Sequence, residues 1–369
     1  MSVYSRFIRP VLFCFDAEFM HNSAIRFNTI TGSMPVSRKI VSSLCRFSDP
    51  MLETVVCEIK FPNPVGLAAG YDKDGLCVQG LSALGFGHIE IGSVSCDFSR
   101  GNPKPRLFRL PLDRGVVVNY GLSSQGAEAV AERLRKTERL RPMGINIVKT
   151  NRGPEAPPEG AEEIIDDYVH SAMILKDLGN YLCLNLSCPN TEDRGDFFGE
   201  GRHVTQLLEA LSDLDIRCPL FLKISPLGGV QAIEELLEAI DGFGLVSGFV
   251  FNLPPGKPDN LMTPGHVIDN MPGAVSGKPI EAFLNKCIYE MFTRMDRNRY
   301  KIIGSGGVFT AEDAYHKIQL GASLVQLLTG LIYEGPFVVK KINQGLCRLL
   351  KRDGFKHISE AVGSAFPDK

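Results

Sequence analysis

The chain has 369 residues, 44% hydrophobic and 22% charged, with a net charge of −2 at pH 7. That is enough apolar material for one large domain or two modest ones, and too little positive charge for a polybasic nucleic-acid binder. Ten cysteines lie scattered without a CxxC pair and seven histidines lack ligand spacing, which points to reduced cytosolic thiols and no protein-bound metal.

Residues 1–48 read as a helical extension. Pro10 to Met20 puts Leu12, Phe15, Phe19 and Met20 on one helical face, and Ala24, Ile25 and Phe27 begin a second short amphipathic piece before Gly32. A further helix is expected from Pro35 to Phe47. Faces rich in phenylalanine and flanked by Arg6, Arg9 and Arg26 suit either packing on the main domain or docking on a membrane surface. No run of ~18 apolar residues and no cleavable signal pattern occurs, so no segment is expected to span a bilayer. The expected location is the cytoplasm, or peripheral attachment at the inner membrane.

Residues 49–369 alternate apolar runs with helical stretches. Strands are expected at Val65–Ala69, His88–Val94, Met143–Val148, Tyr181–Ser187, Pro219–Ile224, Ser247–Asn252, Lys301–Gly304 and Ser323–Leu328. Helices are expected at Ala127–Lys136, Ala161–Leu178, Val204–Leu214, Gln231–Ile240, Ile280–Met295 and Ala311–Leu320. Near-continuous hydrophobic strands separated by helices indicate a parallel sheet. Eight such units over about 260 residues fit an α/β fold, the (β/α)8 TIM barrel, whose usual span is about 250. A doubly wound sheet would open on GxGxxG, whereas the first strand here ends in Ala68-Ala69-Gly70-Tyr71-Asp72-Lys73.

Barrel chemistry sits at the C-terminal rim, and the strand ends are polar: Lys73, Ser93, Ser95, Asn146, Lys149, Asn185, Cys188, Lys223, Ser225 and Asn252. The fourth strand carries the densest signal, LCLNLSCPNT at 182–191, where an apolar run stops in amides, hydroxyls and a thiol. Any one of these residues alone reads as a rim group facing water; their convergence does not. After the seventh strand, Gly304-Ser305-Gly306-Gly307 precedes Thr310, a suitable N-cap, and the eighth strand delivers Gln326, Thr329 and Gly330. Glycine N–H groups and a helix N-terminus favour a phosphate there, with Ala274–Pro279 able to close over it. A ring system would then cover the mouth, and Asn146, Asn185 and Lys223 suit the heteroatoms of a flavin. A Schiff-base lyase using Lys223 is the competing class from spacing alone, and a non-catalytic flavin binder a third. The loop from Glu192 to Gly201 reads as a lid or as a solvated turn.

Seven motifs then resemble one family. GLAAGYDKDG (66–75), GFGHIEIGSVS (85–95), GNPKPRLFRLP (101–111), LNLSCPNT (184–191), SGKP (276–279), IIGSGGV (302–308) and GASLVQLLTG (321–330) are similar to dihydroorotate dehydrogenases. The leader resembles the quinone-reducing, membrane-associated class 2 branch. The resemblance implies FMN held by Ala68, Ala69, Gly70, Ser93, Asn146, Asn185, Lys223, Ser225, Asn252, Ser276, Gly277, Gly306, Gly307 and Thr329. It implies a dihydroorotate pocket from Lys73, Asn119, Tyr120, Gly121, Leu122, Asn190, Thr191 and Asn252, with Cys188 and Lys73 catalytic. A base removes the C5 proton while hydride leaves C6, and leader helices form an apolar tunnel for ubiquinone or menaquinone.

Three positions depart from the class 2 pattern. The base is Cys188, as in class 1, where class 2 carries serine; a thiol of reference pKa ~8.5 is the better base. The NRYGFN-like segment reads Val118-Asn119-Tyr120-Gly121-Leu122-Ser123, so an amide becomes valine and a covering phenylalanine becomes leucine. The hydroxyl expected after Asn252 is Leu253. Two lost partners at about 1–3 kcal/mol each would weaken orotate binding roughly a hundredfold or more. This opens a further alternative, a divergent member acting on another dihydropyrimidine or on a natural-product intermediate.

Overall fold

The computed structural model describes residues 3–187 and 196–366. Eight parallel strands close into a barrel: β1 (Val65–Leu67), β2 (His88–Val94), β3 (Met143–Ile147), β4 (Tyr181–Asn185), β5 (Leu220–Ile224), β6 (Val246–Phe251), β7 (Lys301–Gly304) and β8 (Ala322–Leu327). Each pairs with its sequence neighbour, β5 joins β6, and β8 returns to β1 through Val325↔Val65. The expected (β/α)8 architecture forms. Strand ends shift by a residue or two, although Ala68 N and Leu186 N still donate to the neighbouring strands at Leu327 O and Lys223 O.

Alternation within the strands separates two interiors. Outward residues such as Ile89, Ile91, Leu182, Leu184 and Leu222 pack under the helices. Inward residues Tyr181, Cys183, Phe221, Val250, Ile303 and Leu324 fill the lumen together with Val56 and Phe61. Those last two belong to a hairpin, Thr54–Val56 with Ile59–Phe61, that plugs the N-terminal end. Its two-residue turn holds Cys57 at φ 48° and Glu58 at φ 64°, the positive values a tight hairpin requires.

The surrounding helices are α3 (Val78–Ala83), α4 (Ala127–Arg135), α5 (Ala161–Leu175), α6 (Gly201–Ser212), α7 (Gly229–Ile240), α8 (Glu281–Arg294), α9 (Ala311–Gln319), α10 (Thr329–Glu334) and α11 (Val338–Asp353). A three-stranded antiparallel sheet, unexpected from sequence, lies over the mouth. Its strands are Leu107–Leu110, Gly115–Val118 and Ala274–Gly277, so the segment read as a closing loop is a strand for two thirds of its length.

The leader differs from expectation in its breaks. Tyr4–Ile8 and Arg9–Phe13 are short turns, followed by α1 (Ala17–Ser33) and α2 (Pro35–Cys45). The face from Leu12 to Met20 is not one helix, because Asp16 turns extended and accepts from Phe19 N at 2.7 Å, starting α1 anew. The piece expected from Ala24 lies within α1. The buried face of α1 carries Glu18, Ile25, Asn28 and Gly32, while Phe19, Phe27 and Ile30 are exposed. Gly32 and Gly80 let α1 cross α3 closely; a Cβ on Gly80 would sit 2.0 Å from the Asn28 carbonyl oxygen.

Candidate active site

A pocket opens at the C-terminal mouth, under the antiparallel sheet and the leader. Ala68, Ala69, Gly70, Lys73, Ser93, Tyr120, Gly121, Leu122, Asn185 and Lys223 line it, as do Asn252, Ser276, Gly277, Gly306, Gly307 and Thr329. Lys73 and Lys223 are the charged side chains on this lining, and no Asp or Glu accompanies them among the described residues. An anionic ligand fits such a wall.

One end is built from backbone and hydroxyls. Gly306 and Gly307 turn at φ 81° and 75°, and Gly277 at φ 98°, conformations open to glycine at little cost. The loop lies hard against α8: a Cβ on Gly306 would meet Leu284 Cδ1 at 2.3 Å, and one on Gly307 would meet Glu281 Cβ at 2.4 Å. Asp313 fixes the loop's far side, accepting from Phe309 N at 2.9 Å and Thr310 N at 3.0 Å. The Ser276 and Thr329 hydroxyls meet at 2.9 Å on the opposite wall. Lys278 pairs behind the loop with Glu281 and Asp313. Glycine N–H groups facing two hydroxyls, without a carboxylate, form a cradle that fits a phosphate.

The pocket floor is an amide relay. Asn252 Nδ2 donates to Asn185 Oδ1 at 2.8 Å and to the Ser187 carbonyl at 2.9 Å, and Asn185 Nδ2 donates to Ser93 Oγ at 3.1 Å. Ser93 Oγ donates to Asn146 Oδ1 at 2.5 Å, and Asn146 Nδ2 donates to Glu90 Oε1 at 3.0 Å. Asn146 therefore sits one layer beneath the lining. Ser225 turns into a neighbouring cavity, where its Oγ accepts from Leu227 N at 3.2 Å.

The other end faces the leader. Asp72 accepts from Leu76 N at 2.7 Å and Cys77 N at 2.8 Å, folding the loop after β1 so that Lys73 Nζ lies 3.3 Å from the Tyr120 ring centroid. Burial pushes the Lys73 ammonium down to about 8, and the Arg106 guanidinium adds to the shift. Burial likewise holds His21, from α1, at about 3, so this ring is neutral. Arg106 Cζ also lies over the Tyr120 ring, 5.0 Å from its centroid, and the guanidinium bonds Glu18 of α1 at 2.9 Å. Burial works to raise the Glu18 carboxyl, but the Arg106 and Lys104 contacts outweigh it and hold it below its ordinary value.

All three apolar departures, Val118, Leu122 and Leu253, line the pocket. Asn119 does not replace the missing amide; its Oδ1 turns away to accept from Asn102 Nδ2 at 3.0 Å. Cys188, Asn190 and Thr191 lie outside the described residues, as do residues 192–195 of the expected lid. Sequence reasoning did not single out His21, Arg106 or Glu90. The spacing of Glu18, His21, Ile25 and Asn28 along one helical stripe could have flagged the first.

A family model described as "Dihydroorotate dehydrogenase" matches residues 51–350. A protein of Natronomonas pharaonis named "Dihydroorotate dehydrogenase (quinone)" is 38% identical, covering 98% of this chain and 99% of its own. One of the same name from Nostoc punctiforme is 36% identical over the whole of both chains. Among solved structures, DHODH from Eimeria tenella in complex with ferulenol superposes with a TM-score of 0.82 at 27% identity, covering 95% of this chain and 96% of that one.

Proposed function

This chain belongs to the dihydroorotate dehydrogenase family, and from that premise we propose that it oxidises dihydroorotate to orotate, using FMN at the barrel mouth and a quinone as electron acceptor. The observation that carries the reading is the pocket itself, with two lysines and, among the described residues, no carboxylate on its lining, a glycine–hydroxyl cradle at one end and an amide floor. Ser276, Gly277, Gly306, Gly307 and Thr329 would hold the FMN phosphate, while Asn185, Lys223 and Ser93 would meet the polar edge of its ring. When bound, FMN would supply a two-electron relay, as hydride acceptor towards the substrate and electron donor towards the quinone.

The chain's own groups do the rest. The Lys73 ammonium, desolvated beside the Tyr120 ring, attracts the substrate carboxylate. Cys188 takes the C5 proton; it follows Ser187, whose carbonyl is tied to Asn252. The walls exclude water, since Leu122, Leu253 and Leu328 close round the polar groups.

Residues 1–48 form the quinone-docking extension and residues 49–369 the FMN barrel. Supporting this division, the pocket continues along Leu107, Val116 and Ile332 to an apolar cluster that includes Phe13 of the leader. Phe7, Val11, Phe15, Phe19, Phe27 and Ile30 are exposed on the leader, and Val36, Ile40 and Leu44 on α2. This surface, with Arg6, Arg26 and Lys39, suits peripheral attachment to a membrane. Among the described residues no helix is long and apolar enough to cross one.

A second reading, a different dihydropyrimidine or related substrate, rests on Val118, Leu122 and Leu253 lining the pocket. The deciding experiment measures reduction of a quinone analogue with dihydroorotate and with dihydrouracil, alongside identification of the released cofactor. FMN and dihydroorotate turnover are expected; FMN with neither activity favours the second reading, and a colourless protein sinks both.

A further inference from the structure

Beneath the pocket floor the barrel holds an acidic side chain that the catalytic reading leaves unused. Glu90, on β2, is fully buried, and three neutral side chains donate hydrogen bonds to it. They are Asn146 Nδ2 at 3.0 Å, the Tyr181 hydroxyl at 3.0 Å and Gln326 Nε2 at 2.9 Å. His88, beside Gln326 at 3.4 Å, supplies no counter-charge, because burial keeps it neutral.

The barrel is shaped round this layer. A Cβ on Gly66 would sit 2.1 Å from His88 Nε2, and one on Gly144 would sit 2.1 Å from Tyr181 Cζ. Two strands thus give up side chains to admit polar ones. Burying a carboxylate is costly, and apolar groups of equal volume serve a fold as well or better. Stability alone does not account for the layer.

Direction does. The relay runs Asn252 to Asn185 to Ser93 to Asn146 to Glu90, and at every link the donor lies on the pocket side. A carboxylate only accepts, so it fixes the sense of each bond above it. Ser93 Oγ then offers lone pairs, not its proton, towards Asn185, and the Asn185 amide keeps a fixed orientation at the pocket wall.

We propose that Glu90 is a positioning residue for the cofactor: its carboxylate, accepting at both oxygens, orients the Asn146–Ser93–Asn185–Asn252 relay and lowers the reduction potential of the flavin. The inference rests on the flavin reading. A carboxylate buried beneath the pocket would oppose the arrival of electrons there, against the pull of Lys223 on the same pocket. Glutamine at 90 removes the charge and can donate to Asn146, so the relay loses its single sense.

The test compares flavin-loaded wild type, Glu90→Gln, Glu90→Asp and Tyr181→Phe by midpoint potential, visible spectrum and FMN dissociation constant. Glu90→Gln should raise the potential by about 30 mV, a tenfold change in the two-electron equilibrium. It should also displace the visible band and weaken FMN several-fold, with Glu90→Asp recovering part of each. Tyr181→Phe strips one donor from the carboxylate and leaves the relay whole, so it should move the potential downward. An unmoved Glu90→Gln potential, or a shift of the same sign in both variants, overturns the inference. If Glu90→Gln does not fold, Tyr181→Phe decides alone, and an unmoved potential there overturns it. Wild type without flavin would sink the flavin reading and this inference together, whereas a loaded wild type beside an unmoved variant sinks only this one.

Discussion

Glu18→Gln should loosen the leader without unfolding the barrel. The Glu18 side chain is 9% exposed and bonds Arg106 at 2.9 Å, itself 13% exposed. Lys104, the second partner at 3.3 Å, is 65% exposed and contributes about 0–1 kcal/mol. A buried pair stripped of one partner costs about 3–5 kcal/mol. Arg106 keeps carbonyl acceptors at Arg100 (3.0 Å) and Asn102 (3.1 Å), which places the loss lower. Charge-assisted hydrogen bonds of about 1.5–3 kcal/mol set the scale, and we expect about 2–3 kcal/mol. That corresponds to a rise of roughly 30- to 150-fold in the undocked leader. Hydrogen exchange reads it directly: amides of α1 should exchange faster by that factor while β3 and β4 stay protected. Because the Glu18 carboxyl is held below its ordinary value, the contribution is present above that value and fades as pH falls through the depressed one. Unchanged α1 exchange, or an equal change in the barrel strands, would refute the clamp.

Other outcomes follow from the pocket walls. With the Lys73 ammonium pushed down to about 8, kcat/KM for an anionic substrate should fall as pH rises through that value, and Lys73→Arg should move the alkaline limb upward. Gly307→Ala forces a Cβ to 2.4 Å from Glu281 Cβ at a positive φ, adding roughly 1–2 kcal/mol of backbone strain; FMN retention on dialysis should drop tenfold or more. Leu253→Thr returns a hydroxyl to the pocket and should tighten orotate about tenfold, for roughly 1–1.5 kcal/mol; looser or unchanged binding would show that residue 253 does not face the substrate. Cys188→Ala should slow flavin reduction by dihydroorotate about 10²–10⁴-fold with FMN affinity unchanged, as removal of a general base requires.

The barrel was legible because its strands are short, almost wholly apolar runs between amphipathic helices, a pattern that local chemistry enforces. The antiparallel sheet over the mouth was not, since Gly115–Val118 pairs with Ala274–Gly277 across more than half the barrel and long-range pairing leaves no local signature. The α11 helix extends the chain beyond the last expected element and packs Ile342, Leu346 and Leu350 into the core. In the leader the apolar residues were plain, but which face turns inward was not. Glu18 and Asn28 are buried while Phe7, Phe15, Phe19 and Phe27 stay outside, against what hydropathy alone implies. Rim residues were readable from strand ends, whereas Glu90 sits mid-strand in HIEIGSV, where only the lumen's packing reveals its partners.

The account's central claim meets its most direct test in an anaerobic titration of the purified protein with dihydroorotate, followed at the flavin absorbance band. Stoichiometric bleaching, reversed by a quinone analogue, is the predicted result. A flavin band that dihydroorotate leaves untouched would contradict it.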